Sequence, residues 1–246
     1  MQSWLPPVAG VAGLIVGSHL ATIAVRWPQG RSAAAGRSAC DGCGRTLRAW
    51  ELVPLLSWLA LRGACRRCGA RIDARHPLIE LAAAGIAVAM VALLPMPAAL
   101  AGTGLGWTLL LLAVLDLDRF WLPDRLTLPL LVAGLGVAWA GIGPDPTARA
   151  IGAGIGWAAL AGVDWLYRRV RGRRGIGGGD PKLFAAIGAW VGWAMLPTVL
   201  LIASGAGVLL VIGAAIAGRR MTATTRLPFG PFLAMAGAIG WLWVTI

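Results

Sequence analysis

Long apolar stretches alternating with basic segments constrain the fold of this 246-residue chain more than any other feature. A membrane-spanning helix needs about 20 predominantly apolar residues. The sequence contains eight stretches that approach or reach this length, at residues 5–25, 78–95, 98–116, 126–143, 149–166, 183–198, 199–217 and 229–246. The pattern predicts an all-α polytopic membrane protein with about eight transmembrane helices.

The composition excludes the main alternatives to a membrane protein. Charged residues make up 13% of the chain, whereas an average soluble domain carries about 25%. Hydrophobic residues make up 58%, which excludes a disordered chain and argues against a soluble globular enzyme. The first apolar stretch has no basic residue ahead of it, so we expect a retained helix rather than a cleaved signal peptide.

The basic residues predict how the chain lies in the membrane. Of the 22 Lys and Arg residues, 21 fall in the four segments 26–75, 119–125, 168–182 and 219–226. Eight spans place these segments on one side of the bilayer, and the positive-inside rule assigns that side to the cytoplasm. The net charge of +12 is therefore a topology signal, and no binding of nucleic acid is predicted.

All four cysteines lie in the basic segment between the first two predicted spans. They form two CxxC pairs, Cys40 with Cys43 and Cys65 with Cys68, and a glycine follows each pair. Four thiolates at this spacing are typical of a closed tetrahedral zinc site, and disulfides are disfavoured in the cytoplasm. We predict a small structural zinc domain at residues 26–76; a redox-active pair and unliganded thiols are the alternatives.

Two aspartates at the predicted cytoplasmic ends of membrane helices are candidate catalytic residues. Asp116 ends the third apolar stretch, and Asp180 follows three glycines and opens the sixth. An ionisable group at a membrane helix is costly unless it faces protein or water, so it is a functional candidate. Two carboxylates at one depth can share a proton and activate water, as in aspartic proteases. Alternatively, Asp180 only caps a helix and Asp116 only marks the membrane edge.

Five motifs, in this order, resemble those of the type IV prepilin peptidases, the leader peptidase/N-methyltransferases of pilus and type II secretion systems. They are the CxxC pairs around residues 52–63, then residues 76–81, the Asp-x6-Pro-Asp pattern of 116–129, the Gly-x-Gly-Asp-x-Lys-Leu of 177–183, and 227–233. The resemblance implies a GxGD aspartic protease in the bacterial cytoplasmic (inner) membrane. It implies cleavage of the basic leader of prepilins or pseudopilins, followed by methylation of the new N-terminal amine with S-adenosylmethionine.

The resemblance also implies roles for individual acidic and basic residues. By motif position the catalytic aspartates are Asp116 and Asp180. Asp118 and Asp124 occupy accompanying acidic positions, where they support the pair or contact the basic leader. Lys182 either orients Asp180 or meets a phospholipid head group.

Three further residues are implied to support the reaction. Gly177 and Gly179 belong to a glycine-rich loop that lets the scissile segment lie extended between the aspartates. Glu80 neutralises either the new amine of the substrate or a nearby arginine, or it makes only an ion pair at a helix end.

The resemblance divides the chain into three parts. These are a first transmembrane helix at 1–25, a cytoplasmic zinc domain with a methyltransferase role at 26–76, and a transmembrane peptidase domain at 77–246. The implied partners are prepilins or pseudopilins and membrane lipids. No glycine-rich fingerprint for the methyl donor is visible in the sequence.

Three other functions stay open from the sequence. Residues 17–21 read Gly-Ser-His-Leu-Ala where the family commonly has Gly-Ser-Phe-Leu-Asn, so a peptidase without methyltransferase activity is the main alternative. A transporter with membrane carboxylates and a non-enzymatic zinc scaffold are the others.

Overall fold

A computed structural model describes residues 4–33, 37–173, 175–218 and 227–246. Within these residues the chain is helical, and extended pairing is limited to two isolated bridges, Ala39 with Thr46 and Ala64 with Arg71. The α-helices are α1 (Leu5–Arg26), α2 (Leu56–Ala60), α3 (Arg75–Leu93), α4 (Met96–Arg119), α5 (Asp124–Trp139), α6 (Pro146–Arg171), α7 (Asp180–Val191), α8 (Leu196–Ile216) and α9 (Gly230–Thr245).

The prediction of an all-α polytopic membrane protein is confirmed. Among the described residues, five helical segments are long and apolar enough to cross a membrane: Leu5–Gln29, Arg75–Leu93, Met96–Arg119, Pro146–Arg171 and Trp193–Ile216. Helices α5, α7 and α9 are shorter, with 16, 12 and 16 residues. At 1.5 Å per residue α7 is about 18 Å long, less than the hydrocarbon thickness of about 30 Å. The count of eight spans therefore stays a prediction.

The sixth apolar stretch is divided between two helices. The sequence predicts one span over 183–198, but α7 ends at Val191 and Gly192 follows it with φ +77°. Pro197 lies in the first turn of α8, where a missing N–H removes no helical hydrogen bond. The predicted end of this span at residue 198 is therefore wrong, because a glycine with positive φ ends the helix at Val191, before Pro197 is reached.

The chain forms two compact units, Met1–Leu93 and Leu94–Ile246. In the first unit, α1 packs along α3 through two glycines. A Cβ atom on Gly13 would lie 2.5 Å from the Cα of Ala84, and one on Gly17 would lie 2.6 Å from the Cα of Glu80. The glycines therefore let the two backbones approach closely, as small residues do in membrane helix pairs.

Helix α7 is the core of the second unit. Every residue of α7 except Lys182 is buried, and α5, α6 and α9 all pack against it. A Cβ atom on Gly188 would lie 2.2 Å from the carbonyl oxygen of Gly152, so α6 and α7 touch backbone to backbone. This complete burial explains why the sequence of α7 is apolar all round.

The single basic residue outside the four basic segments, Arg149, is part of this core. Its side chain is fully buried, and its guanidinium donates to the carbonyl oxygens of Gly134 at 2.7 Å, Pro144 at 2.9 Å and Ile142. It also lies 5.6 Å from the ring centroid of Trp241. Arg149 therefore binds carbonyl groups at the ends of the helices in place of a carboxylate.

Candidate active site and metal centre

Asp116 lies in the last turn of α4, which continues to Arg119, beyond the predicted end of the span. The residue is 5% exposed, and its Oδ2 accepts a hydrogen bond of 2.9 Å from the backbone N–H of Gly230. Gly230 is the first residue of α9, so the carboxylate meets the positive end of a helix dipole. A Cβ atom on Gly230 would lie 2.7 Å from Oδ2, which means that this contact needs a glycine.

Asp180 is the first residue of α7 and is also 5% exposed. The backbone N–H of Asp180 donates a 3.2 Å hydrogen bond to the carbonyl oxygen of Gly177, and a Cβ atom on Gly177 would lie 2.8 Å from Oδ2 of Asp180. Gly179 occupies the N-cap position and no side chain caps this helix, so the alternative in which Asp180 only caps α7 is wrong. The Oδ1 atom of Asp180 is buried without a hydrogen-bond partner among the described residues, which leaves it available to a proton or a water.

The two carboxylates act on each other electrostatically although they are 64 residues apart in sequence, from 116 to 180. Both are buried; the Asp116 carboxylate accepts a hydrogen bond from the Gly230 N–H, and the backbone N–H of Asp180 donates to the carbonyl oxygen of Gly177. Two buried carboxylates that repel favour sharing one proton, so that one carboxyl group is protonated while the other stays ionised. The arrangement therefore has the parts that acid–base hydrolysis requires.

The glycines of the GxGD loop are packed against atoms of the chain itself. The space at Gly177 is taken by the Asp180 carboxylate, and a Cβ atom on Gly179 would lie 2.6 Å from the Cβ of Leu122. Leu122 belongs to the segment that joins α4 to α5. Gly179 therefore lets the two aspartate-bearing motifs pack together, while Gly177 leaves room for the Asp180 carboxylate, and the sequence reveals neither packing role.

Lys182 and Asp124 form an ion pair beside Asp180. The Nζ atom of Lys182 lies 2.7 Å and 2.8 Å from the two carboxylate oxygens of Asp124. This pairing is neither of the two contacts that the resemblance suggested for Lys182. Asp118 is exposed on the last turn of α4.

The four cysteines come together as their spacing predicts. Their Sγ atoms all lie within 4.8 Å of one another, and the Sγ atoms of Cys40 and Cys68 are 3.8 Å apart. Four thiolates at 2.3 Å from a tetrahedral zinc ion lie about 3.8 Å apart. Cys43 and Cys65 complete the set, and all four cysteines are free thiols. The cluster therefore fits one metal ion with a closed ligand set.

The two halves of the cysteine cluster have the same backbone geometry. Gly44 and Gly69 have φ values of +68° and +70°. Each glycine N–H donates a 2.9 Å hydrogen bond to the carbonyl of the first cysteine in its pair, Cys40 or Cys65. Each pair therefore forms a tight turn that directs its two Sγ atoms to one point, as zinc knuckles require.

A buried carboxylate supports this cluster from one side. Glu51 accepts hydrogen bonds of 3.0 and 2.6 Å from the guanidinium of Arg45 and one of 2.8 Å from the N–H of Arg48. Hydrogen bonding by Arg45 is the main cause that lowers the pKa of Glu51 to about 2. Arg45 also interacts electrostatically with the side chain of Cys65. The Arg45–Glu51 pair therefore links the short 3-10 turn Ala49–Leu52 to the cysteine cluster.

Glu80 has a contact that the sequence did not predict. It is 5% exposed on α3, and its Oε2 accepts a 2.7 Å hydrogen bond from the backbone N–H of Leu55. Leu55 has a φ of +60°, which is unusual for a residue with a side chain. Glu80 therefore holds the segment before α2 against α3.

The described residues contain no strand-based unit of the kind that carries a glycine-rich cofactor fingerprint. They contain two isolated bridges and no strand, so the strand–turn–helix unit of a dinucleotide-type fingerprint is absent from that part of the chain.

Comparison with known proteins identifies relatives for both units. Residues 11–94 match the bacterial peptidase A24 N-terminal domain, and residues 103–212 match the type IV leader peptidase family. A prepilin leader peptidase/N-methyltransferase of Burkholderia pseudomallei (strain K96243) is 51% identical over 203 residues, which are 82% of this chain and 65% of the relative. Relatives of the same name from Aeromonas hydrophila and Dichelobacter nodosus are 45% and 41% identical over 208 residues, 84% of this chain and 71% of theirs. No solved structure matches the chain significantly.

The fold and the site define a polytopic helical membrane protein with a buried, interacting pair of carboxylates and a four-cysteine cluster. The chain belongs to the type IV leader peptidase family, as the five motifs predicted. Membership makes it a multi-pass inner-membrane protein. The chain spans about 65% of the length of the Burkholderia relatives.

Proposed function

We propose that this protein is an intramembrane aspartic endopeptidase that removes the basic leader from type IV prepilins or type II secretion pseudopilins. We further propose that it N-methylates the new N-terminal residue with S-adenosylmethionine. The observation that carries the peptidase proposal is the buried, mutually interacting pair Asp116 and Asp180. The choice of substrate and the second activity are supported by relatives named prepilin leader peptidase/N-methyltransferase.

The proposed cleavage uses the carboxylate pair as one acid–base unit. The ionised carboxylate accepts a proton from a water, and the resulting hydroxide attacks the scissile carbonyl carbon. The protonated carboxylate donates its proton to the carbonyl oxygen, and a proton then passes to the leaving amine. The hydrogen bond from the Gly230 N–H to the Asp116 carboxylate and the hydrogen bond from the Asp180 N–H to the Gly177 carbonyl position the two residues for these transfers.

We propose that the reaction takes place at the cytoplasmic face of the membrane. The four basic segments support this orientation by the positive-inside rule. The substrate's own apolar helix lies among membrane lipids while its basic leader reaches the cytoplasmic side. Asp118, which is exposed at the same end of α4 as Asp116, is the proposed contact for the leader.

The four cysteines are proposed to hold a structural zinc ion. Zinc supplies a fixed tetrahedral centre that a segment of about 50 residues needs in place of a large core. The proposed domains are a first transmembrane helix at 1–25, a zinc domain with the methyltransferase role at 26–76, and the peptidase domain at 77–246. Prepilins or pseudopilins and lipids, and not nucleic acid, are the proposed partners.

A peptidase without methyltransferase activity is the second candidate. It is favoured by Ala21 in α1, which is fully buried at the position where the family commonly has asparagine. Alanine has no hydrogen-bonding side chain, so the amide that the family commonly has at this position is missing.

One assay separates these candidates. Membranes that contain the full chain are incubated with a prepilin and S-adenosylmethionine, and the mature N-terminus is analysed by mass spectrometry. Cleavage at the leader glycine together with a methylated amine supports both activities. Cleavage with an unmethylated amine supports the second candidate, and absence of cleavage contradicts the proposed function.

A further inference from the structure

Asp164 is a buried carboxylate that the proposed reaction does not use. It lies in the C-terminal half of α6 and is 8% exposed. Its Oδ1 accepts hydrogen bonds from the backbone N–H groups of Gly175 at 3.3 Å and Ile176 at 3.5 Å. Its Oδ2 lies 3.2 Å from a guanidinium nitrogen of Arg168. A buried carboxylate is costly unless it is paired in this way, so its position needs an explanation.

The same face of α6 also receives the start of the glycine-rich loop. A Cβ atom on Gly175 would lie 2.7 Å from the ring of Tyr167, which is three residues after Asp164 and therefore on the same side of the helix. Gly175 thus fits between the Tyr167 ring and the Asp164 carboxylate. Only a residue without a side chain allows the loop to pass this close.

The loop continues from this contact to the active site. Asp164 binds the N–H groups of residues 175 and 176, and the carbonyl oxygen of the next residue, Gly177, accepts a 3.2 Å hydrogen bond from the backbone N–H of Asp180. Displacing the start of the loop therefore moves the backbone group that positions Asp180. Asp164 itself has no contact with Asp116 or Asp180 in the described contacts, so its effect passes through the loop.

We infer that Asp164 is a positioning residue for Asp180, acting by accepting hydrogen bonds from the start of the GxGD loop. This inference rests on the proposed function and deepens it. The acceptor oxygen is the required feature, since the charge of Asp164 is already paired with Arg168. An asparagine at this position keeps an acceptor oxygen, whereas alanine and the similarly sized leucine do not.

The test measures prepilin cleavage by the full chain in membranes carrying Asp164→Ala, Asp164→Leu or Asp164→Asn. We expect alanine and leucine to lower kcat by about 10- to 100-fold with little change in KM, because a small misplacement of a reacting group has effects of this size. The Asp164→Asn variant should retain most of the wild-type kcat. Arg168→Gln, the matched control, removes the ion pair but leaves the loop hydrogen bonds and stays within about threefold of wild type.

A second measurement, hydrogen exchange of residues 175–180, does not depend on cleavage. Faster exchange is expected in the alanine and leucine variants, and wild-type protection in the asparagine variant. Wild-type kcat and unchanged exchange in the leucine variant would overturn the inference, as would equal losses in the asparagine and leucine variants. If the wild-type chain cleaves no prepilin, the proposed function fails while hydrogen exchange still decides whether Asp164 holds the loop.

Discussion

Lys182 binds both carboxylate oxygens of Asp124, at 2.7 and 2.8 Å, and so joins the first turn of α7 to the first turn of α5. The contact between Gly179 and Leu122 lies in the same region. Together they hold the Leu-Pro-Asp motif against the GxGD motif. Lys182 is two residues after Asp180, which makes this pair a direct support for the catalytic candidate.

We expect Lys182→Met and Asp124→Asn each to lower the cleavage rate several-fold. Both side chains are partly exposed, at 40% and 53%, so their coupling energy should be modest, about 0.5–1 kcal/mol. A double-mutant cycle on prepilin cleavage measures it. The reversed pair Asp124→Lys with Lys182→Asp should recover part of the activity, and fully additive single effects would contradict the pairing.

Gly230→Ala should lower kcat by about 100-fold or more. The new methyl group would lie 2.7 Å from Oδ2 of Asp116 and must displace the carboxylate or the start of α9. Gly205→Ala in α8 is the matched control, because its Cβ would meet nothing within 4 Å, and alanine favours the helix by about 1 kcal/mol. Measuring kcat for prepilin cleavage by both variants in the same membranes checks this prediction. Equal kcat values would argue against the Gly230–Asp116 contact.

Removing the cysteines should affect stability and not the hydrolytic step. We expect Cys40→Ser and Cys65→Ser to lose bound zinc and to lower the unfolding temperature of the first unit, while freshly prepared protein retains cleavage. Elemental analysis of the full chain checks the metal, and we expect about one zinc ion per wild-type chain. Full occupancy in a Cys40→Ser/Cys43→Ser double variant would refute the site.

The first unit should lose stability in acid, because protonation of Glu51 removes a contribution that its ionised carboxylate makes to the free energy of unfolding. Its folded pKa of about 2 lies below the ordinary value of 4.5, chiefly because Arg45 hydrogen-bonds to it. A lowered folded pKa stabilises the fold above pH 4.5, and this contribution is lost as the pH falls from 4.5 towards 2. Unfolding temperatures of wild type and Glu51→Gln should therefore converge over this range. A constant difference between the two proteins would show that the ionisation of Glu51 does not contribute.

The elements that are predictable from the sequence are those specified by local patterns. Apolar length predicts α1, α3, α4 and α6 to within a few residues, and the CxxC spacing predicts the cysteine cluster. The exception is α7, which ends at Val191 because Gly192 adopts φ +77°, and no apolar pattern reports a backbone angle.

The candidate site was predictable only in part, because its supports are long-range contacts. The positions of Asp116 and Asp180 follow from motifs. The hydrogen bond between Asp116 and Gly230 joins residues 114 apart, and the Lys182–Asp124 pair joins residues 58 apart. Neither contact produces a periodic pattern in the sequence. The contact of Asp164 with the loop produces none either, because Asp164 lies within an ordinary helical stretch. The glycine of residues 227–233 was visible as part of a motif, but its role depends on how α9 packs against α4.

The central claim is that Asp116 and Asp180 together hydrolyse the leader peptide bond. The most direct measurement is the rate of prepilin cleavage in membranes by Asp116→Asn and Asp180→Asn, compared with Asp145→Asn. Asp145 caps α6 through a 2.9 Å hydrogen bond from the N–H of Ala148, and asparagine keeps such a cap. We expect cleavage at the wild-type rate for the Asp145→Asn variant and none above background for the Asp116→Asn and Asp180→Asn variants. Cleavage at the wild-type rate by either the Asp116 or the Asp180 variant would contradict it.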